Sequence, residues 1–464
     1  MGTLPDDILL KVFKFLVDET EYDFYPSEEW HTLVHVCRRW RNLAFTSPRH
    51  LNLVLLCQSP YRSAKEMLDV WPELPIYIHD FGHSQKEARD DLVAALRLNH
   101  RVSGIRFVYT SGSGWETFAP LMQLSFPALT HLWLQPIFSE PVISRSFLGG
   151  SAPSLRVLVL IRIPFPPLVE ILLSATNLVR VRYENIPRSG YISPQAMITG
   201  LSALTQLESL SLTFRSPGDL PDRAIRIPPP HTRILLPVLT DLSFEGAPEY
   251  MEDLVAQIDA PSLESVQITL FNQEVLEVSE LAKFVRRADK LSLPHQAEVI
   301  LNSHSISIKL SPELLLGKFD PKTLVLYLTC NESVLWLSYL ARFCASCFPA
   351  LSPFESLYID VSMLYPLQDV IDRWLELLRL FTTVKNLRLS KTVAPRVAQA
   401  LGGLPVEQLT EVLPALENVF ISGLEPSGRI WEAISKFADA RQLSGHAVSI
   451  HDSEGDVYYV KERD

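Results

Sequence analysis

Apolar residues follow two regimes along the chain. Up to about residue 48 they recur at helical spacings of three and four; from residue 51 onward they recur as a short phrase, Leu-x-x-Leu-x-Leu. The first regime predicts a helix over residues 5–17. Pro5 suits a first helical position, Asp6 and Asp7 complement the positive end of the helix dipole, and Lys11 and Lys14 come later. Its apolar residues, Ile8, Leu9, Leu10, Val12, Phe13, Phe15 and Leu16, cover more of the circumference than the single stripe of an ordinary surface helix, so this helix needs partners on two sides. A polar stretch containing Asp18, Glu19, Glu21 and Asp23 reads as a solvated loop. Trp30, Leu33, Val34, Val36, Cys37, Trp40, Leu43 and Ala44 then form a second amphipathic unit of two short helices, interrupted by the basic run Arg38, Arg39 and Arg41 and ended by Ser47-Pro48. That basic run is expected to be a solvated face.

The second regime predicts an array of short strands separated by helical runs. Its copies include Leu129-Leu132-Leu134, Leu155-Leu158-Leu160, Leu178-Val181-Tyr183, Leu207-Leu210-Leu212, Leu239-Leu242-Phe244 and Leu263-Val266-Ile268. Later ones are Leu291-Leu293, Leu324-Leu326-Leu328, Leu357-Ile359, Val384-Leu387-Leu389 and Leu416-Val419-Ile421. A period of roughly 20–30 residues is that of a leucine-rich repeat, in which one repeat cannot bury its own inner face and must stack on its neighbours. Helix-like runs at 91–98, 281–288 and 374–381 fill the intervals. The segment Ala297 to Leu310 breaks the rhythm and predicts an inserted hairpin, with Asn302-Ser303-His304 at its tip. Leu51-Leu53-Leu55 and Pro75-Ile76-Tyr77-Ile78 are expected as the first strands. Val448-Ser449-Ile450 and Val457-Tyr458-Tyr459-Val460 are expected as the last, capping the array.

Composition narrows the function. The chain is 47% apolar and 20% charged, enough for a packed core. Its net charge of -11, with acidic residues spread along the chain, argues against nucleic acid as the main partner, since such binding needs clustered Lys and Arg. The start, Met1-Gly2-Thr3-Leu4-Pro5-Asp6, carries no signal-peptide or myristoylation pattern, and no run of about eighteen apolar residues predicts a membrane span. Five scattered cysteines make no disulfide framework, which fits a cytoplasmic or nuclear protein. Cys344 and Cys347 have zinc or redox half-site spacing without a second pair, and His79 and His83 share an i, i+4 spacing interrupted by Gly82 in a segment that reads as a loop. Both pairs are expected to be structural. No phosphate loop, nucleophile elbow or H-E-x-x-H motif occurs. Neither a cofactor nor a catalytic residue is expected.

Leu4-Pro5-Asp6-Asp7-Ile8-Leu9, Val12-Phe13, Leu16 and Val36-Cys37-Arg38-Arg39-Trp40-Arg41 together resemble an F-box. The resemblance covers roughly residues 3–50, with a longer interval between Leu16 and Leu33 than most F-boxes have. It implies a small three-helix F-box (1–50); with the leucine pattern this gives an α/β protein whose remainder (51–464) is an irregular leucine-rich-repeat solenoid, a curved parallel sheet with helices outside, and the lack of a Gly/Ser-rich linker between Pro48 and Leu51 predicts rigid packing of one on the other. It also implies that Leu4, Pro5, Ile8, Leu9, Val12, Phe13, Leu16, Val36, Cys37 and Trp40 supply or support contact with a Skp-type adaptor, and through it with a cullin-RING ligase. The repeats would hold an unknown target protein. The segments Glu411-Val412-Leu413-Pro414-Ala415-Leu416, Gly423-Leu424-Glu425-Pro426-Ser427-Gly428, Trp71-Pro72-x-Leu74-Pro75 and Ala440-Arg441-Gln442-Leu443-Ser444-Gly445-His446 resemble those of the large F-box family of mushroom-forming fungi. Three readings stay open: a substrate receptor of an SCF-type ubiquitin ligase, an F-box scaffold without ligase work, and an enzyme hidden on the array. A helical cap that buries all its own apolar residues is the rival account of the first fifty positions. It must cover many large side chains with few residues.

Overall fold

A computed structural model of the chain describes residues 4–18, 30–46, 53–56, 68, 75–80, 86–109, 115–116, 118–137, 140–141, 143–216, 233–271, 279–288, 291, 296–301, 305–311, 324–329, 337, 341, 345, 354–361, 371–424 and 428–452. The chain divides into two compact units, Met1–Ser209 and Leu210–Asp464.

The first unit opens with α1 (Asp6–Asp18), α2 (Trp30–Val36) and α3 (Arg38–Thr46). Six strands succeed them: β1 (Leu53–Leu56), β2 (Ile76–Asp80), β3 (Val102–Tyr109), β4 (His131–Pro136), β5 (Val157–Ile161) and β6 (Arg180–Ile186). They lie in chain order, each parallel to the next. Between them run α4 (Lys86–Leu96) and α5 (Leu168–Ser174), and after β6 comes α6 (Pro194–Leu201). Ser193 caps α6, its hydroxyl accepting from the Ala196 amide at 3.2 Å, with Pro194 in the first turn.

The leucine phrase has a physical meaning. Its first leucine is not in the strand but closes the turn before it, donating its amide to the carbonyl three residues back. Leu129 to Phe126, Leu155 to Ala152, Leu178 to Ala175 and Leu207 to Leu204 all do this, at 3.0–3.2 Å, with the leucine side chain buried. The next two apolar positions are alternate strand residues facing the same core, so Leu132 lies opposite Leu158, and Leu158 opposite Val181. Corner carbonyls tie successive repeats together: Thr130 accepts from the amides of Arg156 and Val157, Arg156 from Val179 and Arg180, and Val179 from Glu208 and Ser209. Stacking thus satisfies backbone groups that an isolated repeat would leave to water.

The second unit takes all but the first residue of β7 (Ser209–Phe214), then β8 (Ile234–Leu235), β9 (Asp241–Gly246), α7 (Pro248–Val255), β10 (Ile258–Asp259), β11 (Ser265–Leu270) and α8 (Ser279–Arg287). After these come β12 (Gln296–Leu301), β13 (Ser305–Ser311), β14 (Leu324–Thr329) and β15 (Ser356–Val361). The unit ends with α9 (Ile371–Leu378), β16 (Asn386–Leu389), α10 (Ala394–Gly402), β17 (Asn418–Ile421), α11 (Arg429–Leu443) and β18 (Ser449–Asp452). The same corner device recurs, Glu355 accepting from Lys385 and Asn386, and Lys385 from Glu417 and Asn418.

The expected hairpin is present, β12 pairing antiparallel with β13 from Gln296–Ser311 to Leu301–Ile306. It is also more than an appendage. β13 pairs antiparallel with β14, β14 lies parallel to β11, and β12 lies parallel to β15. The chain leaves β11, skips two strand positions, and doubles back to fill them, giving the order β11-β14-β13-β12-β15. Of the strand expected at Leu291-Leu293, Leu291 donates to the Ala288 carbonyl at 3.2 Å, as a turn-closing leucine does, and Leu293 lies outside the described residues. A small parallel pair, β8 with β10, has no counterpart in the leucine pattern.

The α/β class and the large parallel sheet with intervening helices agree with expectation. Leu51, the junction 47–52, the hairpin tip 302–304, His83, Cys344, Cys347 and the strand expected at Val457–Val460 lie outside the described residues. His79, expected in a loop, is instead the fourth residue of β2 and buried. Among the described residues no helix is long and apolar enough to cross a membrane, and no group of three or more His, Cys, Asp or Glu could hold a metal ion.

Candidate functional site

The candidate site is the surface of α1, α2 and α3. α1 divides its apolar residues by face. Leu9 and Phe13, four apart, are 3% and 1% exposed; Ile8 and Val12, also four apart but rotated by one residue, are 36% and 40% exposed. Leu4, one turn earlier, is 53% exposed, and Pro5 is exposed beside it. The buried pair meets the other helices: the Phe13 ring lies 5.1 Å from that of Trp40, tilted by 60°, with Leu33, Val34, Leu43 and Ala44 buried as well. The small core is therefore made from one face of each helix, leaving α1's adjacent stripe uncovered.

The predicted pair of short helices divides at Cys37, whose thiol accepts from the Trp40 amide at 3.4 Å across the first turn of α3. Val36, at the end of α2, is 58% exposed and Cys37 is exposed next to it. The basic run is exposed, as expected, and two of its arginines also reach the neighbouring helices. Arg39 donates from Nη2 and Nε to Asp6 Oδ1 at 2.6 and 3.1 Å, and from Nη2 to the Leu4 carbonyl at 2.6 Å. Arg41 donates to the Val34 carbonyl at 2.9 Å. These two arginines tie α3 to the start of α1 and to α2, so the Val36-Cys37 corner is held near Leu4, Pro5 and Asp6. Sequence spacing gave no sign of the Arg39 contacts, because the partners lie over thirty residues apart. An Asp with an Arg much later in the chain is too common a pair to mark a contact.

The ten residues singled out from the sequence thus fall into four groups. Leu4, Pro5, Ile8, Val12, Val36 and Cys37 are exposed, and Trp40 is half-buried against Phe13. Leu9 and Phe13 are interior and hold the helices together, because a helix with eight apolar residues must spend some of them on its own neighbours. The Leu16 side chain lies outside the described residues. Each exposed large side chain buried by a partner would contribute roughly 1.5–3 kcal/mol before the entropic costs of association.

A family profile described as F-box-like matches residues 1–50. No curated protein matches the sequence. Among solved structures, one titled as a TLR13–ssRNA13 complex aligns with a TM-score of 0.33 and 12% identity, over 86% of this chain and 49% of that one, so this chain spans about half the neighbour's length. Residues 1–50, which hold α1, α2 and α3, are thus similar to an F-box-like domain, and the elements that follow them are strands, mostly parallel, with helices between.

Proposed function

We propose that the chain is the substrate-receptor subunit of an SCF-type ubiquitin ligase, a non-catalytic adaptor working in the cytoplasm or nucleus. Residues 1–50 bind a Skp-type adaptor, which docks on a cullin-RING ligase, and residues 51–464 hold a target protein. The observation that carries this reading is the uncovered stripe of Leu4, Ile8 and Val12 on α1, with Val36 at the end of α2, in a segment that matches an F-box-like profile. Leu9, Phe13 and Trp40 serve it indirectly, by fixing the helices that present the stripe. The motif Glu411–Leu416, which resembles the F-box proteins of mushroom-forming fungi, lies in the array and plays no part in adaptor contact.

Co-purification with a Skp-type adaptor tests the reading. Ile8→Asp combined with Val12→Asp should reduce adaptor binding at least a hundredfold while leaving the melting transition in place, since both positions face solvent in the free chain. A folded wild-type chain that ignores the adaptor overturns the proposal. Recruitment of cullin by the purified pair separates a ligase receptor from a scaffold.

A further inference from the structure

The head of α1 belongs to the docking surface, yet no apolar contact holds it. Residues 4–8 are all exposed, and Leu9 is the first buried residue of the helix. The Leu9 amide donates to the Pro5 carbonyl at 3.1 Å, opening the helical ladder, while Pro5 itself has no N–H to give. The Leu4 carbonyl lies ahead of that bond. The ring contact between Phe13 and Trp40 does not reach it, since Asp6 alone is seven residues before Phe13, about 10 Å along a helix. Left to itself, the Leu4-Pro5 segment would fray, as helix ends do.

Arg39 supplies the missing hold. As the second residue of α3 it donates from Nη2 to the Leu4 carbonyl and from Nη2 and Nε to Asp6 Oδ1, at 2.6, 2.6 and 3.1 Å. One guanidinium thus grips a backbone acceptor and a side-chain acceptor on either side of Pro5. A planar fork of donors does this in a fixed geometry that a single ammonium lacks. Val36 and Cys37 stand three and two residues before Arg39, and Arg41 fastens α3 to the Val34 carbonyl of α2 at 2.9 Å. Arg39 therefore joins the two separated parts of the exposed apolar surface, Leu4 at the head of α1 and Val36 at the end of α2. In the free chain this ion pair is open to water, with Arg39 45% and Asp6 62% exposed, so it contributes little to overall stability. A partner that covers it excludes water and strengthens the charged contacts.

We infer that Arg39 is a positioning residue of the docking surface: it sets Leu4 and Pro5 in place against the Val36-Cys37 corner before the partner arrives, and acts on adaptor affinity rather than on folding. A preorganised surface binds more tightly because less ordering remains to be done on association. The inference rests on the receptor reading for the identity of the partner, while the order it ascribes to the head of α1 belongs to the free chain. A rival account gives Arg39 a direct contact with an acidic group of the adaptor. The two accounts differ in what Asp6 does.

The test uses the full chain and a purified Skp-type adaptor. Arg39→Met should weaken adaptor binding about tenfold, the order expected for losing hydrogen bonds made by a charged group, with the melting transition unchanged. Asp6→Asn, which keeps the Leu4 contact, should lose less. Asp6→Asn combined with Arg39→Met should bind no more weakly than Arg39→Met alone, because Asp6 acts through Arg39. Arg39→Lys, which keeps the charge without the fork, should stay weaker than the wild type. In the free chain, Arg39→Met should speed amide exchange at Leu9 and leave Phe13 unchanged. Wild-type affinity in Arg39→Met or Arg39→Lys, additive losses in the double variant, a lowered melting transition in Arg39→Met, or unaltered exchange at Leu9 would each overturn the inference. Failure of the wild-type chain to bind the adaptor would overturn the receptor reading, and exchange at Leu9 would then decide separately whether Arg39 orders the head of α1.

Discussion

Single residues carry several of the constraints that repeat patterns leave out. Arg441 on α11 is buried and donates to five backbone carbonyls: from Nη1 to Leu409, Val412 and Leu413 at 2.9, 3.4 and 3.2 Å, and from Nη2 to Pro414 and Leu416 at 3.2 and 3.4 Å. It holds the turn in which Leu413 adopts a φ of 50°, a conformation strained for a branched side chain. The segments at 411–416 and 440–443 therefore belong together: one is the clamp of the other. Arg441→Met should cost about 3–5 kcal/mol in denaturant unfolding, since it strands buried carbonyls, and should leave adaptor binding unchanged. His131 has a different signature. Because burial, Arg156 and Arg180 lower its folded pKa to about 4, below the 6.5 of the unfolded chain, the unfolded state takes up a proton first as the solution is acidified. Stability is full above pH 6.5 and declines towards pH 4. His131→Gln should make the fall in melting temperature across that window shallower, which a series of thermal melts would show.

Elements are coupled by groups that belong to their neighbours. Glu252 on α7 is buried, yet its carboxylate is satisfied: it accepts from the amides of Glu280 and Leu281, both at 2.8 Å, and from the Ser279 hydroxyl at 3.5 Å. It thereby caps α8 from the preceding repeat, where exposed amides and the helix dipole favour a negative charge. Glu252→Ala should destabilise by about 1–3 kcal/mol and speed amide exchange first in α8. An absence of any exchange change in Ser279–Arg287 would remove this account. On α1 the division between Leu9 with Phe13 and Ile8 with Val12 sets what a mutation reports. Changes at the first pair unfold the helices; only changes at the second read out docking.

Across the molecule, legibility tracked locality. The leucine phrase located most strands, because period-two alternation and a turn-closing leucine are encoded within six residues. Leu132, Leu158 and Val181 face one another as their spacing implied. The hairpin was visible too, as two alternating runs around a polar turn. Its place in the sheet was not: nothing local in Gln296–Leu301 says that it pairs with Ser356–Val361 and leaves room beside Ser265–Leu270 for a strand that comes much later in the chain. The F-box-like helices were legible as helices, and their apolar surplus was countable. Which members of that surplus face a partner depended on Arg39 reaching Asp6 and Phe13 reaching Trp40.

By itself the sequence determined the periodicities, and with them the kinds of element and the presence of an apolar surplus at the front of the chain, since both arise from the 3.6- and 2-residue repeats of the backbone. The tertiary structure alone decided which carbonyls Arg441 holds and which face of α1 stays open. Those are contacts between residues distant in the chain, and pairing across such distances is set by the packing of whole elements rather than by any pattern within one of them.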